Sequence, residues 1–224
     1  MAKKKEVSPA ESAPAVYTTL EQEASVEMVE KKSVFIGHAK PVKTGEEAVE
    51  FINKIRGKYP DATHNVYAYM IGANVTRYSD DGEPGGTAGM PVLEVIRKSG
   101  FTDACIVVTR YFGGILLGTG GLVRAYSHAA KLAAEAAHVI TYERFITCEI
   151  ICDYTDYDKI RASYQGVGLM VDGVDFAADV TQRLAVRAPE YDGFCAALTE
   201  LTNGAVLIET TGDRFDFLPD NGGQ

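Results

Sequence analysis

Two glycine-rich stretches carry most of the chemistry this chain can offer. The first runs Tyr78-Ser79-Asp80-Asp81-Gly82-Glu83-Pro84-Gly85-Gly86-Thr87-Ala88-Gly89. Its carboxylates Asp80, Asp81 and Glu83 supply the oxygen ligands a hard cation such as Mg²⁺ takes. The spacing departs from the calcium-loop pattern, and an acidic turn that caps a helix accounts for the same residues. The second runs from Arg110 to Arg124 and holds Gly113, Gly114, Gly118, Gly120 and Gly121. It lies between a buried-strand pattern and a helix start at Thr119. Open amides and the helix dipole there favour an anion. Arg110 and Arg124 add charge-assisted donors, and His128 and Lys131 extend a basic stripe along the helix. No Gly-Lys-[Ser/Thr] follows, so this is not a P-loop, and Val123 stands where a dinucleotide fold needs its third glycine. Tight turns and close helix packing explain the glycines equally well. His64, after Asp61 and Thr63 at a strand start, is either structural or a ligand contact. Neither a nucleophile nor a general base can be named, so the chain reads as a binding protein more than an enzyme.

Strands and helices must hold these stretches. Ser33–Ala39 reads as a strand. Thr44-Gly45-Glu46-Glu47 is a capping box, opening a helix whose Ala48, Phe51, Ile52, Ile55 and Tyr59 share one apolar face. His64–Ile71 is apolar on both faces, which predicts a covered central strand. Pro91 suits the first turn of a helix through Lys98, stopped by Gly100. The β-branched run Ala104–Thr109 reads as a buried strand emptying into Arg110. A long helix from Thr119 to His138 sets an alanine face against the sheet and a polar face of Arg124, His128, Lys131 and Glu135 outward.

From Thr141 the order is strand, helix, strand, strand, helix, strand, the ferredoxin-like βαββαβ arrangement. Thr155 is the expected cap of its first helix. A loop at Val180–Gln182 would set Asp179 opposite Arg183 and Asp175 opposite Arg187. Ala205–Thr210 makes the last strand. These patterns predict an α+β chain: a flexible tail at 1–18, a domain at 19–140, a ferredoxin-like domain at 141–212 and a C-terminal tail at 213–224.

The net charge of −9 is divided unevenly. Residues through Ile140 carry 16 basic against 16 acidic side chains, and those from Thr141 carry 6 against 15. Polyanions are repelled by the second part, so any nucleic-acid contact belongs to the first. No stretch approaches the roughly 20 apolar residues of a membrane span, and no secretory h-region follows the N-terminal lysines. The scattered cysteines (Cys105, Cys148, Cys152, Cys195) read as buried thiols in a reducing cytosol.

The strings Ser79-Asp80-Asp81-Gly82-Glu83-Pro84-x-Gly86-Thr87-Ala88-Gly89-x-Pro91 and Arg110-Tyr111-Phe112-Gly113-Gly114-x-Leu116-Leu117-Gly118-Thr119-Gly120-Gly121-Leu122-Val123, then Ala125-Tyr126, resemble the signatures of the YigZ/IMPACT family. Lys32-Ser33-x-Phe35 and Asp61-Ala62-x-His64 match its pattern too. The resemblance implies an N-terminal α/β domain like domain IV of elongation factor G and a second domain like its domain V. It also implies a cytoplasmic, translation-linked role, with RNA, the ribosome or a translation-regulator protein as partner and no membrane. A second reading is a phosphorylated small molecule held by Gly118–Leu122, with Mg²⁺ on Asp80, Asp81 or Glu83. This is the arrangement of small-molecule kinases with a related fold. A third is an interaction protein whose glycines only maintain the fold.

Overall fold

The structure, a computed structural model, describes residues 16–218. The parts of the expected tails at 1–15 and 219–224 lie outside the described residues. The chain divides into one compact unit over Tyr17–Ile140 and a second that begins at Thr141. Among the described residues, no helix is long and apolar enough to cross a membrane.

After strand β1 (Val16–Leu20), the first unit forms β2 (Ala24–Glu30), β3 (Ser33–Pro41), α1 (Gly45–Lys58), β4 (His64–Ile71), β5 (Val75–Ser79), α2 (Gly89–Lys98), β6 (Ala104–Tyr111) and α3 (Thr119–Ala136). Its antiparallel sheet has the order β2-β3-β6-β4-β5. The central strand β6 is buried along nearly its whole length. Because side chains alternate across a strand, Ala104, Ile106 and Val108 join the core under α2 and α3, while Cys105 and Val107 join the core under α1. Arg110 continues the first series and therefore emerges on the α3 side. Helix α3 lies against β3 so closely that a Cβ at Gly37 would collide with the Ala129 carbonyl.

The Thr44 hydroxyl caps α1 by accepting from the Glu47 amide at 3.2 Å, as the capping box predicts. Glu47 reaches back one residue further than expected, to the Lys43 amide at 2.7 Å. Strands β1 and β2 were not legible in the sequence, because β2 alternates acids with small or apolar residues and reads as solvated. Residues 16–18, expected as tail, belong to β1.

The second unit contains most of β7 (Val139–Cys152), then α4 (Tyr154–Ala162), β8 (Leu169–Phe176), β9 (Val180–Arg187), α5 (Tyr191–Leu201) and β10 (Leu207–Asp216). These strands pair antiparallel in the order β10-β7-β9-β8, with Cys148, Ile150, Leu184, Val186, Phe194 and Leu198 in the core. This is the expected βαββαβ arrangement, and the chain is a two-domain α+β protein. Three details differ. The cap of α4 is Asp153, whose carboxylate accepts from the Thr155 and Asp156 amides. The β8–β9 turn falls at Ala177–Asp179, so Asp175 pairs with Thr181 rather than Arg187. The Arg183 guanidinium still reaches the Asp175 carboxylate diagonally at 2.6 Å. Residues 213–216, expected as tail, continue β10 alongside β7, where Arg214 pairs with Asp172 and Asp216. Of the four thiols, Cys195 is only partly buried.

Candidate ligand-binding cleft

Strand β6 delivers Arg110 to the α3 side of the sheet, where its guanidinium lies over the Phe35 and Phe112 rings at 5.4 and 5.6 Å. The residue is 5% exposed, and so buried a charge needs a counter-ion. Glu83 supplies it: Arg110 Nη1 donates to Glu83 Oε1 at 2.5 Å. Arg110 Nη2 reaches Ser33 Oγ at 3.4 Å, and Nε is buried with no partner among the described residues. The Tyr126 hydroxyl donates to the same Glu83 Oε1 at 2.7 Å. Burial, and then the adjacent Glu83 carboxylate, hold the Tyr126 phenol above its ordinary range, so it remains a donor.

The His64 ring packs on Gly82, with Nδ1 2.7 Å from the Asp81 carbonyl. A carbonyl only accepts, so Nδ1 carries a proton. The other ring nitrogen, Nε2, lies 3.8 Å from Glu83 Oε1. The two signature loops, separated in sequence, therefore meet through one carboxylate.

The three acidic side chains of the first loop do not converge. Asp80 accepts from the Gly86, Ala88 and Gly89 amides, tying the loop to the start of α2. Asp81 accepts from Arg56 and the Asn65 amide. Glu83 faces Arg110 and Tyr126. Among the described residues, no cluster of three or more His, Cys, Asp or Glu side chains is placed to hold a metal ion.

At the start of α3, Gly118 has φ 72°, a left-handed conformation that favours glycine. No side chain caps the helix, and its first closed hydrogen bond runs from the Leu122 amide to the Gly118 carbonyl at 2.9 Å. The Thr119, Gly120 and Gly121 N–H groups have no acceptor among the described residues. Gly118 and Thr119 line a cleft of about 450 Å³ together with His64, Glu83 and Arg110. Its apolar wall is Phe112, Leu116, Leu117 and Leu122. Gly113 acts through packing instead, since a Cβ there would fall on the Lys32 carbonyl. Close packing at Gly113 and open amides after Gly118 thus occur in the same stretch.

Arg124, His128 and Lys131 are exposed on the other side of α3 and line separate grooves, not the Arg110 cleft. The single basic surface expected from the sequence is therefore divided. Phe112, Leu116 and Tyr126 were missed as site residues. The legible signal for Tyr126 was a lone tyrosine within the alanine-rich face of α3.

Comparisons with known proteins place this cleft within a recognised domain. Residues 31–134 match the family model described as the Impact N-terminal domain, and residues 150–205 match the domain of unknown function DUF1949. The chain is 40% identical over 190 residues to IMPACT family member YvyE of Bacillus subtilis (strain 168), covering 84% of this chain and 88% of that protein. The chain belongs to the IMPACT family. It is 35% identical to IMPACT family member YigZ of Escherichia coli (strain K12), over 83% of this chain and 94% of that one. It also resembles a protein of known crystal structure described only as hypothetical, with TM-score 0.56, 31% identity and coverage of 88% and 98%. In this IMPACT chain His64, Glu83, Arg110 and the start of α3 all fall inside the matched Impact N-terminal segment.

Proposed function

We propose that the chain is a non-enzymatic, translation-linked RNA-binding protein that seats one nucleotide of single-stranded RNA between its two signature loops. One observation carries this reading. Thr119, whose amide is unpartnered among the described residues, the exposed Phe112 ring and the His64–Glu83–Arg110 group belong to one cleft of about 450 Å³. Open amides at a helix start suit a phosphate, and an exposed aromatic beside them suits a base face. Family membership, with the elongation-factor-like domains that the family resemblance implies, supports the link to translation, with the ribosome or a translation regulator presenting the RNA. Glu83 offsets the Arg110 charge, so the main attraction is to one phosphate and the salt dependence is shallow.

The test is fluorescence anisotropy with a labelled single-stranded RNA oligomer at low salt. Thr119→Pro removes one amide donor at the first helical position, where proline is tolerated. It is expected to weaken binding about tenfold, while Thr119→Ala leaves it nearly unchanged. No binding at low salt, or equal affinity for the proline variant and the parent, rejects the reading. The cleft's size, that of one nucleotide, favours a second reading with the same chemistry: a free phosphorylated small molecule. Thermal protection by mononucleotides without RNA binding selects that alternative. Neither reading calls on Mg²⁺, because Asp80, Asp81 and Glu83 each have protein donors.

A further inference from the structure

We propose that the groove between α2 and α3 is a docking site for an acidic amphipathic helix of a partner protein. The two helices bury their inner faces in one core, with Val92 and Ile96 of α2 and Ala129 and Ala133 of α3 among its members. Their outer edges leave a groove of about 480 Å³. It is separate from the Arg110 cleft, so the inference stands without the RNA reading. The lining comes as one stripe from each helix. Pro91, Val95 and Lys98 of α2 recur at spacings of four and three residues, and Val123, Ser127 and Lys131 of α3 at spacings of four. Such spacings keep a stripe on one side of a helix. At 1.5 Å per residue each stripe runs about 10 to 12 Å, or about two helical turns. A guest helix laid in the groove would meet both walls over two turns, through side chains at i, i+4 and i+7.

The lining also defines the guest's chemistry. Its apolar part is aliphatic: Pro91, partly buried Val95, and Val123 at 38% exposure. Among the described residues that line it there is no Phe, Tyr or Trp, so a nucleic-acid strand would find no such ring to stack on. Leucine or isoleucine side chains of a peptide would instead lose water against the two valines. Lys98, Arg124 and Lys131 stand along the groove, with His128 beside them. Glu94 is the acid among the lining residues, and it is already met by Arg97 at 3.2 Å and Lys98 at 3.7 Å. Lys131 meets Glu135 at 3.6 Å, whereas Arg124 has no acceptor among the described residues. The unit as a whole is nearly balanced, with 13 basic and 14 acidic side chains, so this excess of cations is local. Charge complementarity therefore asks for carboxylates flanking the guest's apolar stripe.

The experiment uses the full chain and two fluorescein-labelled, hydrocarbon-stapled alanine helices. Both carry leucine at i, i+4 and i+7; one sets glutamate beside that stripe and the other glutamine. Fluorescence anisotropy at low salt is expected to show the glutamate peptide binding about tenfold more tightly. The chain carries a net charge of −9, so a preference for glutamate has to come from a local basic site. Arg124→Glu combined with Lys131→Glu, both at exposed positions, should abolish that preference. The double variant should still bind the glutamine peptide within about threefold of the parent, which shows that it is folded. Val123→Asp should weaken both peptides about tenfold. Absence of binding to either peptide, equal affinity for the two, or an unchanged preference in the double variant overturns the inference. Single-stranded RNA that binds the parent and is lost in the double variant, with neither peptide bound, overturns it as well and makes the groove a nucleic-acid surface.

Discussion

His38 shows how completely a polar side chain must be satisfied to sit inside this sheet. It is fully buried on the α1 side, with Nδ1 2.8 Å from Ser25 Oγ and Nε2 3.3 Å from Thr109 Oγ1. The Thr109 hydroxyl donates to Asn65 Oδ1, so its lone pairs face His38 and the ring proton belongs on Nε2. Burial, helped by Lys58 and partly opposed by Glu23, lowers the imidazole pKa to about 4. The unfolded ring titrates near 6.5. Between those values the unfolded chain holds a proton that the folded chain does not, so stability rises with pH across the window. Acidification from pH 7 to pH 4 should therefore remove up to about 3 kcal/mol through this residue. Urea denaturation of the parent and of His38→Gln at both pH values checks it, because the variant should lose that part of the slope. Equal slopes would refute the assignment. Neither His38 nor the Glu83–Tyr126 bond was legible in the sequence. His38 sits within an otherwise strand-like run, and Tyr126 and Glu83 are 43 residues apart. His64 was singled out by the Asp61-Ala62-x-His64 string, which left a structural role and a ligand contact both open.

Among the strands and helices, the turn between β2 and β3 is unusual. Lys31 and Lys32 both have positive φ, at 45° and 66°. A two-residue hairpin turn of this kind favours Asn-Gly, and each side chain forced into the left-handed region costs about 1 kcal/mol. Lys31→Asn combined with Lys32→Gly should stabilise the protein by about 1 kcal/mol, offset in part by the greater freedom of glycine in the unfolded chain. Calorimetry should show a higher Tm, and an unchanged or lower Tm would mean that the turn is not strained. Elements with a strong period were legible: α1 through its cap and apolar face, and β6 through its β-branched run. The β8–β9 register was not, since charge pairing alone fits two alignments. The observed turn lets Arg183 reach Asp175 diagonally, which satisfies the same charges.

Along the full chain, the division of charge follows the division into units. The residues from Thr141 onward carry a net charge of −9, while the cleft lies in Tyr17–Ile140, with 13 basic and 14 acidic side chains. RNA carrying 4-thiouridine should cross-link to peptides from Tyr17–Ile140 and not to those from Thr141 onward, with the modified peptides identified by mass spectrometry. Cross-links confined to the second unit would contradict the placement of the RNA site. This partition was readable from the sequence, as was the βαββαβ order. The union of the two glycine stretches in one cleft was not, because it depends on β4 and β6 lying side by side.

Gly113 leaves no room for a Cβ beside the Lys32 carbonyl, and its amide donates to Ser33 Oγ at 3.2 Å. One jaw of the cleft is thereby bolted to the edge hairpin. Ile115 and Leu116, set between left-handed Gly114 and Gly118, are exposed instead, Leu116 at 84%, whereas Leu117 returns to the core. Trimming or enlarging Leu116 would therefore reshape the rim of the cleft and leave the anchored side in register.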